Sequence, residues 1–167
     1  MFRSLAILAF ISTAALAADV PAATTDFIDK VAVSNKFEID TSELALKYGK
    51  SSDVKSFAQQ MIDDHTKAGQ NFKASLTEAG IEAPKDALDV AHTAKYAKLR
   101  LFTTESGFDA AYIDAQVQAH KDAVGLFKQY TANGPTPAVK SFAEKTLPTL
   151  EHHLMMVEEL KAKLPKS

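Results

Sequence analysis

Ile113, Val117, His120, Val124 and Phe127 recur at alternating steps of four and three, the interval at which residues return to one face of an α-helix. Three other long stretches share this spacing, and none shows sustained period-two alternation between turn residues. The chain is therefore expected to be all-α. The first helix should run from about Thr25 to Tyr48 and stop at Gly49. The second should start at Ser51 or Ser52 and carry Val54, Ala58, Met61, His65, Ala68 and Phe72 on one face up to Gly80. Pro84 opens a shorter piece, with Leu88, Ala91, Lys95, Leu99 and Phe102 on one side, ending near Thr103.

The third long helix spans about Ser106 to Thr131, and Asn133-Gly134-Pro135 ends it. Thr136 as N-cap and Pro137 at the first helical position start the fourth. Its face is Val139, Ala143, Thr146, Leu150, His153, Val157, Leu160 and Leu164, with Pro165 beyond. Four helices of about 36 to 42 Å, at about 1.5 Å per residue, fit a four-helix bundle in which the short helix is a crossover. Pro148 lies inside the fourth helix, where it removes the bond to the Glu144 carbonyl and is expected to bend the helix around the core.

Composition narrows the function classes. The chain has 167 residues, enough for one domain, and 19 basic against 21 acidic side chains, which leaves no positive surplus for nucleic acid or anionic lipid. Without cysteine there are no disulfides and no thiolate metal sites. Residues 1–17, MFRSLAILAFISTAALA, carry Arg3, an apolar run from Leu5 to Ile11 and an A-x-A ending, the pattern of a secretory signal cut after Ala17. That run is too short to span a bilayer, and no second one follows. The expected product is a periplasmic or secreted protein with residues 18–24 as linker and 25–164 as bundle, without a transmembrane segment.

His65, His120 and His153 occupy stripe positions where the pattern calls for core residues, and Glu38 does the same on the first helix among Ser34, Asn35, Thr41 and Ser42. All four lie close to the midpoints of their helices, so they should meet within roughly 4 Å of one depth whichever way the helices run. One carboxylate and three imidazoles in a water-poor core suit a single transition-metal ion, copper, zinc or iron. The alternative is a metal-free, hydrogen-bonded polar layer in a structural or protein-interaction module, with Asp64, Tyr112 or water completing the bonds.

Residues three before the inward histidines are Ile62, Val117 and Leu150, so the Glu-x-x-His pairs of di-iron bundles are absent. Met61 with His65, and His152 with Met156, are four apart and would suit copper, although methionine is more often core filler. Asp63 and Asp64 fit a solvated or supporting pair better than a catalytic dyad, and His92, Lys161 and Lys163 fit the surface. No phosphate loop, G-x-S-x-G or H-E-x-x-H motif occurs, so no catalytic residue is assigned.

Three separated motifs in order resemble the exported bacterial family known as domain of unknown function 4142: Phe57-Ala58 with Met61-Ile62-Asp63-Asp64-His65; Phe108-Asp109 with Ala111-Tyr112 and His120; and Leu147-Pro148-Thr149-Leu150 with His153-Leu154. The likeness extends from about Phe27 to Leu160, and Glu38-Ile39-Asp40 with Leu44-Ala45 is similar to its opening segment, with Ser42 in place of the usual glycine. This resemblance implies a ferritin-like four-helix bundle with no established activity. By position it carries over Glu38, Asp64, His65, Asp109, Tyr112, His120 and His153.

Overall fold

The computed structural model describes residues 19–104 and 107–164. The signal segment expected at residues 1–17 and Pro165 lie outside them. Five α-helices follow in order: α1 Ala22–Tyr48, α2 Ser52–Glu78, α3 Val90–Leu101, α4 Phe108–Asn133 and α5 Pro137–Lys163, with a 3-10 turn, Phe102–Thr104, after α3. No strand occurs among the described residues.

The apolar stripes dictate the packing. One core cluster gathers Phe27, Val31, Phe72, Leu76, Phe127, Phe142 and Leu150. A second gathers Ala45, Phe57, Met61, Tyr112, Ile113 and Val157 at the other end. Along the chain, α1 and α5 pass from the first cluster to the second, whereas α2 and α4 pass from the second to the first. The helices pack in the cyclic order α1, α2, α5, α4, so every neighbour is antiparallel. Because α2 and α4 are parallel across a diagonal, their connection must travel the length of the bundle, and α3 lies within it.

The helix ends differ from the sequence expectations where local chemistry competes. The first helix begins at Ala22, three residues before Thr25, so the linker is shorter than expected. Thr24 is drawn into the fold, since its hydroxyl meets those of Tyr130 and Thr136, each at 2.8 Å. Thr136 therefore spends its hydroxyl on Thr24 rather than on capping α5. The crossover helix begins at Val90, not near Pro84, because the Asp89 carboxylate accepts the His92 amide at 2.7 Å and caps it there. Its expected apolar face is thin, with only Leu99 fully buried.

The start of α4 depends on Gly107, whose φ of 114° is a backbone conformation that side-chain-bearing residues rarely adopt. One turn on, the Asp109 carboxylate accepts the amides of Lys50 and Ser51, the latter at 2.8 Å. It thus ties the α1–α2 turn to α4. Helix α5 is continuous through Pro148, which faces solvent.

Candidate metal centre

Each long helix crosses from one apolar cluster to the other at an ionisable residue: Glu38 on α1, His65 on α2, His120 on α4 and His153 on α5. All four are buried, with Glu38 at 2%, His65 at 6%, and His120 and His153 at 1% exposure. The imidazole centroids form a nearly equilateral triangle, with separations of 5.8 Å (His65–His120), 5.6 Å (His65–His153) and 5.5 Å (His120–His153). One ligating atom from each of these histidines lies within 4.8 Å of the others. A tetrahedral ion at about 2.05 Å would draw them to roughly 3.4 Å, so binding requires the three rings to close by up to about 1.4 Å.

Hydrogen bonds on the far side of each ring fix which nitrogen is free. His120 Nδ1 donates to the Gln116 backbone carbonyl at 3.0 Å, His153 Nε2 to Asp64 Oδ2 at 2.9 Å, and His65 Nδ1 to Asn35 Oδ1 at 3.1 Å. All three partners are acceptors, so each ring carries its proton there. His65 Nε2, His120 Nε2 and His153 Nδ1 are left with lone pairs, and all three are buried without a hydrogen-bond partner. Metal-ligating histidines have this arrangement, with one nitrogen anchored by an outer oxygen and the other presented to the ion.

Burial keeps the rings neutral. Desolvation pushes His65 well below the ordinary imidazole value, and His120 and His153 add repulsion. His120 falls to about 4, again mainly by desolvation. His153 is lowered too, although the Asp64 carboxylate pulls the other way.

Glu38 stands apart from the triangle. Its Oε1 lies 3.9 Å from His120 Nδ1, the nitrogen already committed to Gln116, and among the described residues the close group contains only the three histidines. The sequence expectation of four ligands around one point thus differs from the observed three plus a bordering carboxyl. Helical register sets the depth of Glu38, but the rotation of α1 aims it at the outer edge of His120. Both its oxygens are buried and unpartnered, and desolvation raises it to about 8, partly opposed by the nearby Gln116 amide.

The other sequence candidates separate cleanly. Asp63 is exposed and accepts from Gln59, whereas Asp64 anchors His153. Tyr112 shares a 2.8 Å hydrogen bond with Ser42 and braces α1 against α4, while Asp109 ties the α1–α2 turn to α4. Met61 is wholly buried in the second apolar cluster, where Met156 also packs. His152 faces solvent, and Lys161 pairs with Asp114 at 2.9 Å. His92, expected on the surface, is half-buried with its ring edge against Phe37.

Sequence reading missed Gln116 and the role of Asn35. Gln116 sits four residues before His120, a spacing that puts its carbonyl under the next turn's ring. That spacing was the available signal.

A family model, Domain of unknown function (DUF4142), matches residues 11–160. The chain belongs to the DUF4142 family. No curated protein matches it. Among solved structures, it is similar to a crystal structure of a DUF305 fragment from Deinococcus radiodurans, at 14% identity and a TM-score of 0.73, over 86% of this chain and 98% of that one. At that identity the likeness concerns the fold, a ferritin-like helical one. No helix among the described residues of this DUF4142 member is long and apolar enough to cross a membrane.

Proposed function

We propose that this protein is an exported bacterial bundle that holds one transition-metal ion, copper, zinc or iron, through His65, His120 and His153, and serves metal handling or envelope stress defence. Glu38 supplies the bordering carboxylate that balances the ion's charge. Export rests on the signal pattern of residues 1–17. The observation that carries the metal reading is the set of three buried ring nitrogens with no partner, each opposite an anchored N–H. A buried acceptor left without a hydrogen bond costs about 1–3 kcal/mol, and three at one point are a standing cost that an ion would remove. In a metal-free polar layer these nitrogens would bond to water instead, so the two readings part on whether an ion stabilises the folded protein.

The test uses untagged protein stripped with chelator and then given copper, zinc or iron. An ion that binds only the folded state raises the melting temperature, by about 2.7 kcal/mol of stabilisation at a hundredfold excess over Kd. The expected result is one ion per chain and a raised melting temperature that His120→Ala abolishes. Absence of stabilisation by any of the three ions would overturn the proposal and favour the metal-free module.

A further inference from the structure

The crossover helix α3 buries only Leu99 fully and packs mainly on α1, where the His92 ring edge meets Phe37. On its other side it stands off from α4. Ala111, Ala115 and Ala119 of α4 recur at steps of four and line that gap with side chains too short to fill it. The result is a groove of about 350 Å³, with Phe37, Leu99 and Phe102 completing its apolar lining. It follows two turns of α4, about 12 Å at about 1.5 Å per residue. Small-molecule sites begin at about 300 Å³ and combine apolar walls with a few placed polar groups.

Lys95 and Lys98 supply the polar groups. Both are exposed, and neither forms an ion pair among the described residues. The acidic side chain in the lining, Asp114, is engaged by Lys161 at 2.9 Å, and the Gln118 amide donates to Asp122 at 2.8 Å. With Arg100, α3 carries three permanent cations and no acidic residue, in a chain whose net charge is −2. We propose that the groove between α3 and α4 binds an amphipathic anion, a free medium-chain carboxylate whose tail lies along the alanines and whose head meets Lys95 and Lys98. The elongated apolar floor suits an unbranched chain, and the two cations select the sign of its head. Lysine stems can cover such a tail while their ammonium groups stay in water. None of the three central histidines lines the groove.

The test is calorimetric titration of the untagged protein, in EDTA, with sodium decanoate below its micelle concentration. One decanoate is expected to bind per chain, more tightly than octanoate, by roughly two- to fourfold for each added methylene. Replacing both exposed cations, Lys95→Gln with Lys98→Gln, should weaken decanoate by about fivefold and leave decanol binding unaltered, which separates head from tail. Filling the floor with Ala115→Leu should abolish binding of both. Ala111→Leu serves the same purpose should Ala115→Leu fail to fold. Absence of saturable decanoate binding would overturn the site, and equal affinity for decanoate and decyltrimethylammonium would overturn the anionic head. Sedimentation with phosphatidylglycerol vesicles, without binding of decanoate, would make α3 a membrane contact and likewise overturn the proposal. Because EDTA removes any ion, these outcomes leave the metal reading untouched.

Discussion

Asp64 Oδ2 accepts a 2.9 Å hydrogen bond from His153 Nε2, joining a half-exposed carboxylate to a ring that is 1% exposed. That bond leaves Nδ1 as the ring's free, buried nitrogen, and it makes the imidazole a better donor to a cation. Removing an outer partner of this kind typically costs 10- to 100-fold in metal affinity. Asp64→Ala should therefore weaken zinc binding by that factor while helical content is retained, as measured by competition with a chromogenic chelator. Asp64→Glu should restore part of it. Equal affinity in Asp64→Ala and the parent would show that the carboxylate does not tune the site.

Gly69 controls the second anchor. A Cβ at this position would lie 3.1 Å from Asn35 Nδ2, so Gly69→Ala must push the Asn35 amide that holds His65. The expected consequence is a several-fold loss of zinc affinity, smaller than that of Asn35→Ala, with less than about 1.5 kcal/mol change in urea stability. The same competition titration checks it.

Burial of the imidazoles changes the acid limit of metal binding. Free histidine loses metal to protons below about pH 6, but His65 lies well below the ordinary value and His120 near 4. Zinc affinity should hold nearly level from pH 7 to about 5 and fall only below that, as read by calorimetry across the range. A decline beginning at pH 6.5 would mean that the rings are more solvated than the fold implies.

Glu38 and the histidines oppose each other in the metal-free protein. Glu38 is raised to about 8, so between roughly 4.5 and 8 the folded state holds a proton that the unfolded state has released. Stability from this group is therefore complete at low pH and lost as pH rises toward 8. The lowered histidines act oppositely. Below about 6.5 the unfolded chain binds protons that the folded state refuses, and stability drops as pH falls toward 4. In EDTA, parent stability should peak between pH 6.5 and 7 and decline by about 0.5 kcal/mol by pH 8, because the histidine contribution is still rising while Glu38 releases its proton at about 1.4 kcal/mol per pH unit. Glu38→Gln should abolish that alkaline decline in urea titrations and keep the acid one.

Asp109 belongs to the fold rather than to the centre. Its carboxylate accepts the Lys50 and Ser51 amides at the start of α2, so Asp109→Ala should cost about 1–2 kcal/mol in urea unfolding. Zinc affinity should be unchanged. A parallel loss of affinity would mean that the bundle end and its central layer are coupled.

Helix periodicity and rise are local properties, so the placement of Glu38, His65, His120 and His153 on inner faces near one depth follows from residue spacing. The breaks at Gly49, at Asn133-Gly134-Pro135 and at Thr136-Pro137 likewise announce where the long helices end. Spacing does not determine how far each helix turns about its own axis, because that depends on how its stripe meets two neighbours. Packing of α1 between α2 and α4 turned Glu38 to the rim of His120 and brought Asn35, at the edge of the stripe, against His65. Ring orientation is more remote still: which nitrogen of His65, His120 or His153 faces inward is decided by acceptors on other helices or on the preceding turn. Sequence alone thus established a helical bundle with ionisable groups at its middle, and only the assembled helices made three of those groups a converging set of lone pairs.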